Sequence, residues 1–267
     1  MPEEAQHRPD ESVHPAEIPA IVLSCNRYHP FAQHMINAYR ALWPDCPFRF
    51  HVPFQPGTEL ALDDWIFTDP DVETRATPES IKETVLTLVQ DMRDEQWVYW
   101  CIDDKYPIAI DIDVLRQTCD WIFTLPSSVV GITLCRARKL LDPHYLREGV
   151  FELSPWGERF LARATYRQFW FHSFLRVGFL RRTFGFFPTE LDFAKQMDDL
   201  LHLDCGSERR IPSSEMFLVS EGNHMILGES TTRGQITRNA RDSFLSKGLP
   251  LPGNALAEAW VIMGGNT

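Results

Sequence analysis

Two adjacent carboxylates and a cation, Asp103-Asp104-Lys105, close an unbroken apolar run, Trp97-Val-Tyr-Trp-Cys-Ile102. Such a run, bounded by polar residues, fits a strand buried on both faces. Ligands of open α/β sheets sit in the crevice beyond the carboxyl ends of the strands. Two carboxylates placed there repel each other unless a cation or hydrogen bonds compensate. A divalent cation that also carries phosphate oxygens is one such partner, since Mg²⁺ takes one or two carboxylates plus substrate phosphates. Capping the N-terminus of a following helix is the alternative use of these acids.

A second polar tip ends the first apolar run. Ile18-Pro-Ala-Ile-Val-Leu-Ser-Cys25 leads into Asn26-Arg27-Tyr28. By the same crevice rule, Asn26 and Arg27 are candidates to hold a nucleotide base or a phosphate, and Tyr28 to stack on a base. The alternative for Asn26 is a simple turn. Lys105, with Arg27 or Arg136, is a candidate to neutralise a diphosphate without a metal. A solvated loop lysine is the alternative there.

These tips need strands and helices to hold them. Helical spacing of Phe31, Met35, Ala38, Tyr39 and Leu42 predicts a helix that Trp43-Pro44 ends. Phe48–Val52 is predicted as a second strand and Asp64–Phe67 as a third. Thr77-Pro78-Glu79 reads as a helix start, with Ile81, Val85, Leu88, Val89 and Met92 on one face. Ile108, Ile112, Leu115, Cys119 and Ile122 predict another helix directly after Pro107, and Val129–Cys135 a further strand. The first half therefore alternates strand and helix, the pattern of an α/β sheet covered by helices.

The second half is less regular. Val150–Leu153 and Arg167–Phe171 are expected as strands, and 173–183 as a basic helix carrying Arg176, Arg181 and Arg182. Thr189 is expected to cap a helix bearing Phe193, Met197, Leu200 and Leu201, with Asp192 as its capping-box acid. Met216–Val219 and His224–Leu227 are expected as late strands. Residues 229–253 read as loop, with Thr231–Gln235 a candidate lid. Residues 1–17 read as a flexible tail and 18–267 as a single domain.

Composition narrows the classes. Across 267 residues there are 37 acidic and 26 basic side chains, a net charge of −11. That balance argues against a nucleic-acid partner, which needs clustered Lys and Arg. No run of about 18 apolar residues predicts a transmembrane helix, and no leader pattern opens the chain. The six cysteines form no Cys-x-x-Cys pair and read as small buried hydrophobes of a reducing, cytoplasmic setting. The chain shows no zinc-hydrolase, nucleophile-elbow, P-loop or dinucleotide-binding motif, which argues against those enzyme classes. Arg136, Arg138 and Lys139 read as a solvated face or an anion site. Trp156, between Pro155 and Gly157 in an expected loop, is a candidate aromatic contact for a ligand.

The first strand with its polar tip, the alternating half and the aromatic strand ending in acids resemble the nucleotide-sugar glycosyltransferases of the GT-A fold. The resemblance covers about residues 18–135. It extends in outline through 165–236, where Phe169–Arg182 and Glu190-Leu-Asp-Phe193 look like an acceptor-side half. It implies an α/β fold with a mostly parallel central sheet flanked by helices, a donor half at about 18–140 and an irregular acceptor half at about 141–267. It also implies transfer of a sugar from a nucleoside diphosphate to a hydroxyl on a glycan, a lipid-linked precursor or a small molecule. The acidic pair Asp103 and Asp104 then answers to a family motif that holds Mn²⁺ or Mg²⁺ and the donor diphosphate. This chain has Asp-Asp-Lys where the family has Asp-x-Asp. Because side chains alternate along a strand, both acids reach one metal only if the chain turns between them.

An inverting transfer needs a general base from the second half. Glu190, Asp192 and Glu215 are the leading candidates, with Asp198 and Glu221 behind them. Glu190 is favoured by a flanking aromatic run that would half-bury it and raise its pKa. The arginines of 176–182 are candidates for peripheral membrane contact. The competing classes are a non-catalytic α/β binding or scaffold protein and a nucleotidyltransferase.

Overall fold

The computed structural model describes residues 17–57, 69–135, 141–166, 169–191, 194–201, 210–232, 235–249, 251 and 262–263. The expected strand at 64–67, the tail at 1–16, the basic cluster 136–139, Asp192, Phe193 and Cys205 lie outside the described residues.

In chain order, β1 (Ile18–Leu23) leads through a short turn to α1 (His29–Leu42), then β2 (Phe48–Phe54) and β3 (Val72–Ala76). α2 (Ile81–Leu88), β4 (Trp97–Ile102), β5 (Lys105–Ile110), α3 (Ile112–Trp121) and β6 (Val129–Thr133) follow. The second half holds β7 (Leu146–Leu153), β8 (Arg159–Arg163), β9 (Ser173–Arg176), α4 (Val177–Phe186), α5 (Ala194–Leu201) and β10 (Met216–Ser220). β11 (Met225–Glu229), β12 (Thr231–Thr232), β13 (Gln235–Ile236), α6 (Arg238–Ser246) and β14 (Ile262–Met263) complete it.

Nine strands form one sheet in the order β3-β2-β1-β4-β9-β6-β10-β8-β7. β3, β2, β1 and β4 pair in parallel, as do β6 and β10. Only β9 and β8 run against the rest. This is the α/β architecture with a mostly parallel central sheet expected from the alternation of elements.

The core explains why β4 reads as an unbroken apolar run. Trp97, Tyr99 and Cys101 enter one buried cluster with α1, α3 and α6. Val98, Trp100 and Ile102 enter the other, with α2, α4 and α5. Residues two apart share a face, so a strand covered on both sides needs apolar side chains at every position.

Several local expectations are corrected. Ser80, not Thr77, caps α2 by accepting from the Glu83 amide; Thr77 instead joins Gln55 and Thr84. Lys105–Ile110 is a strand rather than a helix start, because it pairs antiparallel with β11. Residues 169–172 are not strand; the strand begins at Ser173, and the helix predicted there starts at Val177. Residues 229–253 contain α6, whose buried stripe is only Asn239, Ala240 and Phe244. Among the described residues, no helix is long and apolar enough to cross a membrane.

Candidate functional site

β1 and β4 are parallel neighbours, with Leu23 level with Ile102. Their carboxyl ends therefore bring Ser24–Tyr28 against Asp103–Lys105. The Asp103 amide donates to the Leu23 carbonyl at 3.2 Å. The chain turns at Asp103-Asp104 before β5 begins, so the strand alternation that would send two adjacent carboxyls to opposite faces does not apply.

Asp103 is buried. Burial first, and the neighbouring Asp104 charge second, hold its carboxyl well above the ordinary carboxylate range; the Ser24 hydroxyl and Lys105 oppose them. Its charge is felt at the β1 tip. The Tyr28 phenol and the Cys25 thiol are both pushed up, by burial and then by Asp103.

Lys105 is also buried. Its Nζ lies 3.1 Å from Asp104 Oδ1 and 3.7 Å from Glu229 Oε1. Burial works against its charge, but Asp104 and Glu229 outweigh it and hold the ammonium above the usual lysine value. Glu229 is raised by burial, with Lys105 pulling the other way. Glu229 escaped the sequence reading because it ends β11, far along the chain from the β5 residue it faces. β11 also approaches β5 closely: a Cβ on Gly228 would stand 2.7 Å from the Tyr106 ring. The Ser230 amide donates to the Asp104 carbonyl at 2.6 Å, joining the end of β11 to the acidic turn.

Charge counting gives the chemistry of this crevice. Three carboxyl groups (Asp103, Asp104 and Glu229) surround one ammonium. Such a set disfavours a bare diphosphate and favours a cation, or a phosphate that arrives with one. Carboxyl oxygens are the hard donors that Mg²⁺ and Mn²⁺ accept. Asp104 is the most open of the group, with its side chain 29% exposed. Among the described residues no group of three or more His, Cys, Asp or Glu side chains is placed to hold a metal ion, so Asp103, Asp104 and Glu229 do not converge on one. One or two carboxylates with substrate oxygens is the arrangement Mg²⁺ ordinarily adopts.

The other expected residues divide. Asn26 is a brace: its side chain donates to the Gln55 carbonyl at 2.8 Å and accepts from the Gln55 amide at 2.9 Å. Arg27 is exposed and Tyr28 half-buried on the same rim. Glu190 is exposed rather than half-buried. It does stand near the carboxyl edge, because the Thr189 carbonyl accepts from Ser80 at 3.2 Å, and Ser80 caps α2 just after β3. Glu215 immediately precedes β10, which runs parallel to β6, so it lies at the amino edge, opposite Asp103. There it pairs with Arg182. A carboxylate on the far side of the sheet cannot take a proton in the Asp103 crevice.

The arginines expected to touch a membrane are engaged at that amino edge. Arg176 donates to the carbonyls of Glu95, Leu125, Pro126 and Val129. Arg181 donates to those of Val89, Gln90 and Met92, at the C-terminal end of α2.

A further cluster was not anticipated. His224 contacts Glu158 Oε1 at 2.7 Å and Asp111 Oδ2 at 3.2 Å, and Glu158 also accepts from Trp156 at 3.3 Å. Trp156 thus belongs to this cluster. It lies at the start of β11, whereas Glu229 ends it, roughly 17 Å away along an extended strand.

No protein-family model and no curated protein sequence matches the chain. Among solved structures, a galactosyltransferase, LgtC, solved with donor and acceptor sugar analogues, matches over 62% of this chain and 60% of its own, at 11% identity and a TM-score of 0.37. An active-site mutant of LgtC matches over 92% of this chain and 86% of its own, at 9% identity and a TM-score of 0.39. WbbM, a bifunctional glycosyltransferase, matches over 74% of this chain and 30% of its own, at 10% identity and a TM-score of 0.33.

Proposed function

We propose that the protein transfers a sugar from a nucleoside diphosphate to an acceptor hydroxyl. The observation that carries this reading is the meeting of the β1 tip with the Asp103-Asp104 turn, at the carboxyl end of a mostly parallel sheet. A ligand held there meets an aromatic ring at Tyr28, a free-standing guanidinium at Arg27, and a crevice whose carboxyls outnumber its cations.

Asp104, with Asp103 beside it, would hold a divalent cation such as Mn²⁺ or Mg²⁺. Bound there, the cation would supply positive charge to the donor diphosphate. Lys105 spends its charge on Asp104 and Glu229 and keeps the turn in place. Arg27 faces the phosphates from the rim, and Tyr28 stacks on the base. In the transfer, the acceptor oxygen bonds to the anomeric carbon as that carbon's bond to the phosphate oxygen breaks. The leaving diphosphate takes the electron pair, and the hydroxyl proton passes to a carboxylate. Glu190, on the segment that reaches the carboxyl edge after α4, is the proposed acceptor of that proton, and Asp192 is the second candidate. The acceptor molecule is a glycan, a lipid-linked precursor or a small molecule.

A thermal-shift screen of UDP, GDP, CMP and ADP, each with Mn²⁺, Mg²⁺ or EDTA, tests this. Ligand binding to the native state raises its stability with the logarithm of ligand over Kd. One diphosphate should raise the midpoint, and EDTA should abolish the rise. A shift that survives EDTA would overturn the cation's part. No shift with any nucleotide would overturn the donor site itself.

A further inference from the structure

The peptide group that joins Ile102 to Asp103 is held at both ends. Its N–H donates to the Leu23 carbonyl at 3.2 Å. Its carbonyl lies 3.2 Å from Nε2 of His172. The β4–β9 ladder runs from Trp97 opposite Arg176 to Trp100 opposite Ser173 and stops there. The imidazole of His172, the residue just before β9, thus supplies a hydrogen bond to Ile102 where the backbone ladder has ended.

His172 is 1% exposed. Its Nδ1 lies 2.6 Å from the Tyr39 hydroxyl, which is 2.9 Å from the Tyr99 hydroxyl. Proton counting sets the direction of this chain. A carbonyl only accepts, so Nε2 carries the hydrogen. In the neutral ring Nδ1 must then accept, and Tyr39 donates to it. Tyr39 has one hydroxyl proton, so in its 2.9 Å contact with Tyr99 the Tyr99 hydroxyl is the donor, with the Met225 sulfur at 3.5 Å as that hydroxyl's other acceptor. Burial pushes the His172 pKa down to about 4, which keeps the ring neutral near pH 7. A buried, fully satisfied chain of this kind specifies one arrangement strongly, because any other leaves a buried polar atom unpaired.

We propose that His172 is a positioning residue. Locked by Tyr39 in its Nε2–H form, it fixes the Ile102–Asp103 peptide and so the direction in which Asp103 and Asp104 enter the crevice. This deepens, and rests on, the transferase reading above. The chain links α1, β4 and the residue that leads into β9, so the crevice floor is not set by the β4–β5 turn alone.

The test uses the full chain and Tyr39→Phe, which keeps the ring and removes the donor to Nδ1. Tyr99→Phe is the control that leaves the Tyr39–His172 contact in place. Imidazole ¹⁵N shifts should show only the Nε2–H form of His172 in the wild type, and a mixture in Tyr39→Phe. Amide exchange at Asp103 should rise about tenfold in Tyr39→Phe relative to Val98 and Tyr99 of the same strand. Binding of Mn²⁺ with UDP should weaken by about tenfold, the worth of one such hydrogen bond. Tyr99→Phe should change each readout less. An Nδ1–H form in the wild type would overturn the proposal, whatever the fate of the variants. So would equal acceleration of all β4 amides, or unaltered exchange and tautomer in Tyr39→Phe. If the tautomer and exchange results hold but the wild type binds no Mn²⁺ with UDP, the clamp stands and the transferase reading falls.

Discussion

The two edges of the central sheet are both rich in charge, yet they use it in opposite ways. At the amino edge the guanidiniums of Arg176 and Arg181 end on backbone carbonyls, and Arg182 ends on Glu215. Those cations satisfy loop and helix-end acceptors of this chain, which is a structural use. At the carboxyl edge, Asp103, Asp104 and Glu229 outnumber Lys105, and Asp103 is pushed toward its neutral form. An edge whose charges are matched internally holds the fold together. An edge left short of positive charge is where the proposed function seats a ligand that brings it.

The largest expected effect presses on the carboxyl edge. Asp104→Ala should lower transfer by about 10²–10³-fold, the usual cost of removing one preorganised charge from such a site. Its half-open side chain predicts a nearly unchanged melting midpoint, and a matching fall in stability would erase the contrast between the edges. Acid comes next. His172 and His34 are held neutral, with pKa values pushed down by burial to about 4 and about 3. Their stabilisation is complete above the unfolded histidine pKa near 6.5. It is lost as pH falls through the folded values, because the unfolded chain takes up protons that the native one refuses. His172 alone accounts for roughly 3 kcal/mol between pH 6.5 and 4. Urea unfolding at several pH values checks this: a profile flat between pH 6.5 and 4 would show that neither ring is held neutral.

Arg176→Met sharpens the contrast from the other side. Leaving its carbonyls without that donor should cost about 2 kcal/mol without altering nucleotide affinity; a change in affinity would show that the amino edge also serves the ligand. Glu215→Gln should matter least. It should shift stability by no more than about 1 kcal/mol, since Arg182 is mostly exposed, and it should leave turnover unchanged. Lost turnover in that variant would return Glu215 to the list of proton acceptors.

The same contrast marks what the sequence could show. Trp97–Ile102 and its acidic end were legible because burial on both faces forces an apolar residue at every position. The end of the sheet at which a residue lies was not legible. Glu215 and Asp103 both adjoin apolar strands, and only strand direction separates them. β5 was hidden because Ile108, Ile112 and Leu115 step at helical spacing across the strand–helix boundary. α6 was hidden because its buried stripe is so narrow. Glu229 and His172 could not be found at all. Each acts through a partner brought close by sheet topology, Lys105 in one case and the Ile102 carbonyl in the other.

The most direct test of this account is calorimetric titration of the wild type and of Asp104→Ala with one nucleoside diphosphate, in Mn²⁺ and again in EDTA. The wild type should bind in Mn²⁺ and lose at least about tenfold in affinity in EDTA, whereas Asp104→Ala should bind weakly in both. Equal affinity of the two proteins in Mn²⁺ would contradict the claim that the carboxyl edge is built around a cation.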